Sequence, residues 1–169
     1  MTSSELLSLS ALEQANLVAR RDVGAMELLD AHAAMIERRD PELTAFASLT
    51  LGQARRAARR IDAKRGRWPD ALPLFWGVPF AMKDTDAVRG TFTRVGSRAF
   101  RWALTPYDSP ATRAFRPGGF VSIGKTTTSE FALLPIVEPD IHPPTRNPVN
   151  PAHSAGGSSG GAAAAGGSA

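Results

Sequence analysis

Ala155-Gly156-Gly157-Ser158-Ser159-Gly160-Gly161-Ala162-Ala163-Ala164-Ala165 places two hydroxyls between paired glycines and runs on into alanines. Glycine has no Cβ to clash, so its backbone adopts φ > 0 or passes very close to another group. Alanine is the strongest helix former, so the segment reads as a turn that opens a helix. A hydroxyl at that turn stands beside free helix N–H donors, a favourable place for chemistry. The bland alternative is a flexible Gly/Ser linker.

A second stretch argues against the linker. Trp76-Gly77-Val78-Pro79-Phe80-Ala81-Met82-Lys83-Asp84 ends an apolar run on a lone lysine, as a buried strand would deliver it into a site. A lysine acts as a base only in its neutral form, which apolar surroundings favour. Asp84 follows directly, but on a strand it points to the opposite face and need not pair with Lys83.

Between and before these stretches, strands alternate with helices, the pattern of an α/β fold. Ser3 or Ser4 caps a first helix expected to reach about Arg21, with Leu6, Leu9, Leu12 and Leu17 on one side. A second helix is expected over 25–39, stopped by Asp40-Pro41. His32 falls beside its apolar face and reads as structural. A strand over 44–49, a helix over 52–65 with an arginine-rich outer face, and a proline-containing loop over 67–74 follow. Strands over 75–82 and 120–123 flank an irregular loop and a helix that begins at Ser109-Pro110. Ser129 to Leu134 reads as a short helix, and the proline-rich stretch to Pro151 as a constrained loop.

Composition narrows the function. The chain has 169 residues, 43% hydrophobic and 21% charged, one domain's worth of soluble globular protein. There is no cysteine, which excludes disulfides, thiolate catalysis and Cys-ligated metals. The net charge of +4 is carried almost wholly by arginine, with lysine only at 64, 83 and 125. The cluster Arg55, Arg56, Arg59, Arg60, Lys64, Arg65 and Arg67 has helical spacing and reads as a solvated face rather than a nucleic-acid surface. No apolar run approaches the roughly 20 residues of a membrane span.

Together the two motifs are specific. The chain resembles the N-terminal part of an amidase signature family enzyme, which carries G-V-P-[FL]-x-x-K-D and G-G-S-S-G-G in this order and at a similar gap. Gly124-Lys125-Thr126-Thr127-Thr128-Ser129-Glu130-Phe131 resembles the family's G-K-T-N-x-x-E-F, and Thr145-Arg146-Asn147-Pro148 its T-x-N-P. The resemblance implies an incomplete amidase-signature fold over residues 1–169, a mixed sheet flanked by helices with an N-terminal helical segment. It implies Lys83 as catalytic base and Ser158, on a cis peptide, as proton relay. Phe131, Ala132, Gly157 and Ser159 take the places of substrate-binding residues.

The implied activity is hydrolysis of a small carboxamide through a Ser-Ser-Lys triad, in the cytoplasm, without metal or cofactor. The family's nucleophilic serine and oxyanion amides lie in a G-G-S-[IL]-R segment about two dozen residues beyond the relay serine. The 169-residue chain is therefore expected to be inactive alone and to associate, as a homodimer or otherwise, through its incompletely covered core. One alternative is the role of an amidotransferase's A-type subunit, on glutamine and charged tRNA with a partner protein; nucleic acid is expected only in that case.

Two further readings compete. Gly119-Phe120-Val121-Ser122-Ile123-Gly124-Lys125-Thr126 matches the phosphate-loop pattern G-x-x-x-x-G-K-[ST], which would make a nucleotide-binding module. Its middle residues have strand character, and no aspartate-ended apolar run supplies the metal-binding partner. A Ser-His-Asp arrangement from Ser154 or Ser158 with His142 or His153 has no orienting acid nearby in sequence.

Overall fold

The computed structural model describes residues 1–64 and 72–168. Arg65, Arg67 and most of the loop read over 67–74 lie outside the described residues. The remainder is a mixed α/β structure in which a three-stranded sheet is flanked by helices.

The expected first helix is two: α1 (Ser3–Leu7) and α2 (Ala11–Arg20). The break comes from Ser10, whose hydroxyl accepts the Glu13 N–H while the Glu13 carboxylate reaches back to the Ser10 N–H at 2.8 Å. This reciprocal cap starts a new helix more favourably than the old one can continue.

α3 (Ala25–Leu43) runs past Pro41, where the sequence implied a stop. Pro41 lies in the last turn, so the missing N–H costs a single helical bond. Asp40 ties that end down, its carboxylate accepting the Ala45 N–H at 2.6 Å and the Phe46 N–H at 3.2 Å. The other end of α3 has no side-chain cap of its own. Asp62 of α4 (Leu51–Ala63) supplies one, accepting the N–H groups of Ala25 and Met26 at 2.8 and 3.0 Å.

β1 (Phe46–Leu49), β2 (Pro79–Lys83) and β3 (Val121–Thr126) form a sheet of order β1-β3-β2. β3 is central, antiparallel to β1 and parallel to β2. β2 starts later than the sequence implied, because Leu74 to Gly77 form a turn with Gly77 at φ 81°. β3 runs further, through Gly124-Lys125-Thr126. Gly124 permits this: a Cβ there would overlap the Ser48 carbonyl oxygen of β1. α5 (Pro110–Phe115) is capped by Ser109, as its Ser-Pro start implied.

Leu28 and Leu29 of α3 are fully buried against Val18, Ala54, Ala58, Ile61, Val121 and Ile123. Leu43, Ala45 and Ala164 form a smaller cluster under α6 (Gly160–Gly166), the helix the alanine run implied. The arginine-rich side of α4 faces outward, with Arg55, Arg56, Arg59 and Arg60 exposed.

Candidate active site

Lys83 is the last residue of β2, placed by the parallel register that sets Met82 opposite Lys125 and Lys83 opposite Thr126. Ser158 reaches the same point from the other end of the chain. It follows a cis Gly157–Ser158 peptide and stands two residues before α6. The Lys83 ammonium donates to Ser158 Oγ at 2.7 Å, across 75 residues of sequence. Both residues are half-buried.

Two consecutive residues hold both halves in place. The Asp84 N–H donates to the Thr126 carbonyl at 3.0 Å, which extends the β2–β3 ladder one step beyond Lys83. The Gly161 N–H donates to the Thr127 carbonyl at 3.3 Å, which docks the start of α6. Thr127 is itself fully buried, and its hydroxyl lies 2.7 Å from that of Thr145.

The Gly157 backbone packs on the chain at Leu134 to Ile136, where a Cβ would come within 2.7 Å of the Ile136 nitrogen. Phe131 and Ala132 lie in a 3-10 turn with left-handed φ of 50° and 59°. The Phe131 ring is 49% exposed and meets Phe100 edge-on at 5.9 Å. Ser159 is exposed at the N-cap position of α6, where its side chain makes no capping bond.

The phosphate-loop reading fails on geometry. Val121 to Thr126 is a sheet strand rather than a loop that wraps phosphates, and Lys125 is buried with its ammonium 3.1 Å from Asp84 Oδ1. Burial pushes the Lys125 amine down and the Asp84 carboxyl up, each opposed by the other's charge. His142 Nδ1 lies 2.8 Å from the Pro143 carbonyl, and the partner of Ser158 is Lys83. The pairing of Asp84 with Lys125 is a relationship that residue order did not supply. The G-K-T run marked it, but under a pattern with another meaning.

Among the described residues, no group of three or more His, Cys, Asp or Glu could hold a metal ion. No described helix is long and apolar enough to cross a membrane.

The family model described as Amidase matches residues 27–168, and the chain belongs to that family, the amidase signature family. It is 40% identical over 140 residues to a glutamyl-tRNA(Gln) amidotransferase A-type subunit of Synechococcus sp. (strain WH7803), covering 83% of this chain and 28% of that protein. A bacterial aryl acylamidase of the amidase signature family superposes with a TM-score of 0.86 at 30% identity, over 92% of this chain and 32% of that one. A 6-aminohexanoate cyclic dimer hydrolase superposes at 0.82 with 32% identity, over 94% and 32%. The chain thus spans about a third of the length of these relatives.

Proposed function

We propose that Lys83 and Ser158 are the base and the proton relay of a Ser-Ser-Lys amidase site. The observation that carries this is the 2.7 Å contact between Lys83 Nζ and Ser158 Oγ. In the reaction the neutral Lys83 amine takes the Ser158 hydroxyl proton as Ser158 Oγ takes one from a second serine. That serine's oxygen attacks the amide carbonyl carbon. When the tetrahedral intermediate collapses, the C–N bond breaks and the leaving amine receives the proton back along the same relay. Water then attacks the acyl-serine ester and releases the acid. Phe131, Ala132, Gly157 and Ser159 are assigned to substrate contact on the resemblance to the family.

In this proposal the second serine and the oxyanion donors are those of the family's G-G-S-[IL]-R segment. The 169-residue polypeptide assayed by itself is then expected to lack turnover. Joined to the remaining two thirds of an amidase, it is expected to release ammonia or amine from a small carboxamide. Lys83→Ala in that longer protein should lower kcat by at least about 10³-fold, the scale of a lost general base. Undiminished turnover would sink the assignment.

The similarity to an amidotransferase's A-type subunit favours a second reading, in which the amide is that of glutamine and the product is passed to charged tRNA with a partner protein. Ammonia release that depends on added partner supports it; release by the longer chain alone supports the free-standing amidase.

A further inference from the structure

Neither Lys125 nor Asp84 takes part in the proposed proton relay, yet both are fully buried, at 0% and 1% exposure. The Lys125 ammonium donates to Asp84 Oδ1 at 3.1 Å and to Thr93 Oγ1 at 3.3 Å. The second carboxylate oxygen accepts the Arg94 N–H at 3.2 Å. Buried ion pairs add little net stability, because desolvation offsets attraction and an apolar pair of similar volume often serves as well. Stability alone therefore gives no account of this pair.

Its placement does. Asp84 is joined covalently to Lys83, and its side chain is turned to the opposite face of the strand end. Its carbonyl accepts the Val95 N–H at 3.3 Å, and its N–H is held by Thr126. Lys125 therefore fastens the residue after Lys83 to β3. Thr126, the last residue of β3, completes the ladder, and Thr127 just beyond it holds Gly161, and with it the turn that carries Ser158.

We propose that Asp84 and Lys125 are positioning residues, whose ion pair sets the contact between Lys83 Nζ and Ser158 Oγ. The inference rests on the reading of those two residues as base and relay. In the longer enzyme, a misplacement of this kind is expected to lower kcat by about 10²-fold with the fold intact.

The chain's lysines at 64, 83 and 125 allow a direct test with 13C-labelled lysine, since so few signals are resolved singly. Ser158→Ala removes the hydroxyl and is expected to move the Lys83 13Cε and ε-proton signals. Asp84→Asn alone strands a buried ammonium and risks unfolding, so the deciding variant is the apolar pair Asp84→Leu with Lys125→Met. It should melt cooperatively and carry its Lys83 signals to the positions they take in Ser158→Ala. Thr93→Val keeps both charges and removes one Lys125 partner; it should displace the Lys83 signals part of the way, which keeps the test decisive should the double variant not fold. Lys83 signals unmoved in the folded double variant, or in Thr93→Val, overturn the inference while leaving the base–relay reading intact. Signals unmoved by Ser158→Ala overturn the reading itself, and this inference with it.

Discussion

Gly161 lies against Thr127 so closely that a Cβ at 161 would overlap the Thr127 nitrogen and hydroxyl and come within 2.5 Å of the Ala45 carbonyl oxygen. The contact joins the first turn of α6 to the end of the central strand with no side chain between them. Ser158 stands three residues before Gly161, so its position is inherited from that contact.

Gly161→Ala should therefore destabilise the chain by about 1–3 kcal/mol, the range for forcing a methyl into packed atoms. The Thr127 nitrogen and the Ala45 carbonyl oxygen are backbone and cannot swing aside. Denaturant unfolding would measure the loss. Gly166→Ala is the control on the same helix, since nothing stands within 4 Å of a Cβ there. Equal effects at the two positions would refute the close approach.

Lys83→Met keeps most of the side-chain volume and removes the amine. In the longer enzyme it should abolish turnover while shifting the melting temperature little. If Lys83 and Ser158 act as one unit, Lys83→Met combined with Ser158→Ala should cost no more in kcat than either change alone. Additive losses, measured by steady-state kinetics, would mean independent roles.

His32 gives the fold an acid limb. It lines an apolar cavity of about 400 Å³ between α3, the sheet and α6, with Nε2 3.2 Å from Gln14 Oε1. Burial lowers its pKa from 6.5 to about 4. The unfolded chain binds this proton first, so the contribution of His32 is intact above about pH 6.5 and is lost as pH falls toward 4. The loss should reach about 2 kcal/mol once its partial exposure is allowed for. His32→Gln should flatten the stability profile across that window; an unchanged slope would contradict the assignment.

Association follows from the surface. Leu133, Leu134 and Ile136 are 78%, 54% and 40% exposed beside Gly157, and β1 and β2 are the two edges of the sheet. Exposed apolar side chains and strand edges favour self-association. The 169-residue chain is expected to show a concentration-dependent mass in sedimentation, reduced in Leu133→Ser/Leu134→Ser. A monomer at all concentrations would argue against this.

The sequence by itself settled what depends on neighbours along the chain. Serine caps, apolar spacing and the alanine run were enough for the type of most elements, because these forces act within a turn or two. The same local code held the Ser10–Glu13 cap that splits the first helix, although the continuous leucine spacing masks it. Motif order was enough to single out Lys83 and Ser158. Other features were beyond local reading. Pro41 stays helical because Asp40 finds donors on the following strand, and α3 begins where it does because Asp62, on another helix, caps it. Asp84 and Lys125 are themselves motif residues, yet their pairing depends on the parallel register of β2 on β3. The 2.7 Å contact between Lys83 and Ser158 has the same origin: the residue types are written in the chain, but only the packing of β2 and α6 onto the end of β3 brings atoms 75 residues apart within hydrogen-bond reach.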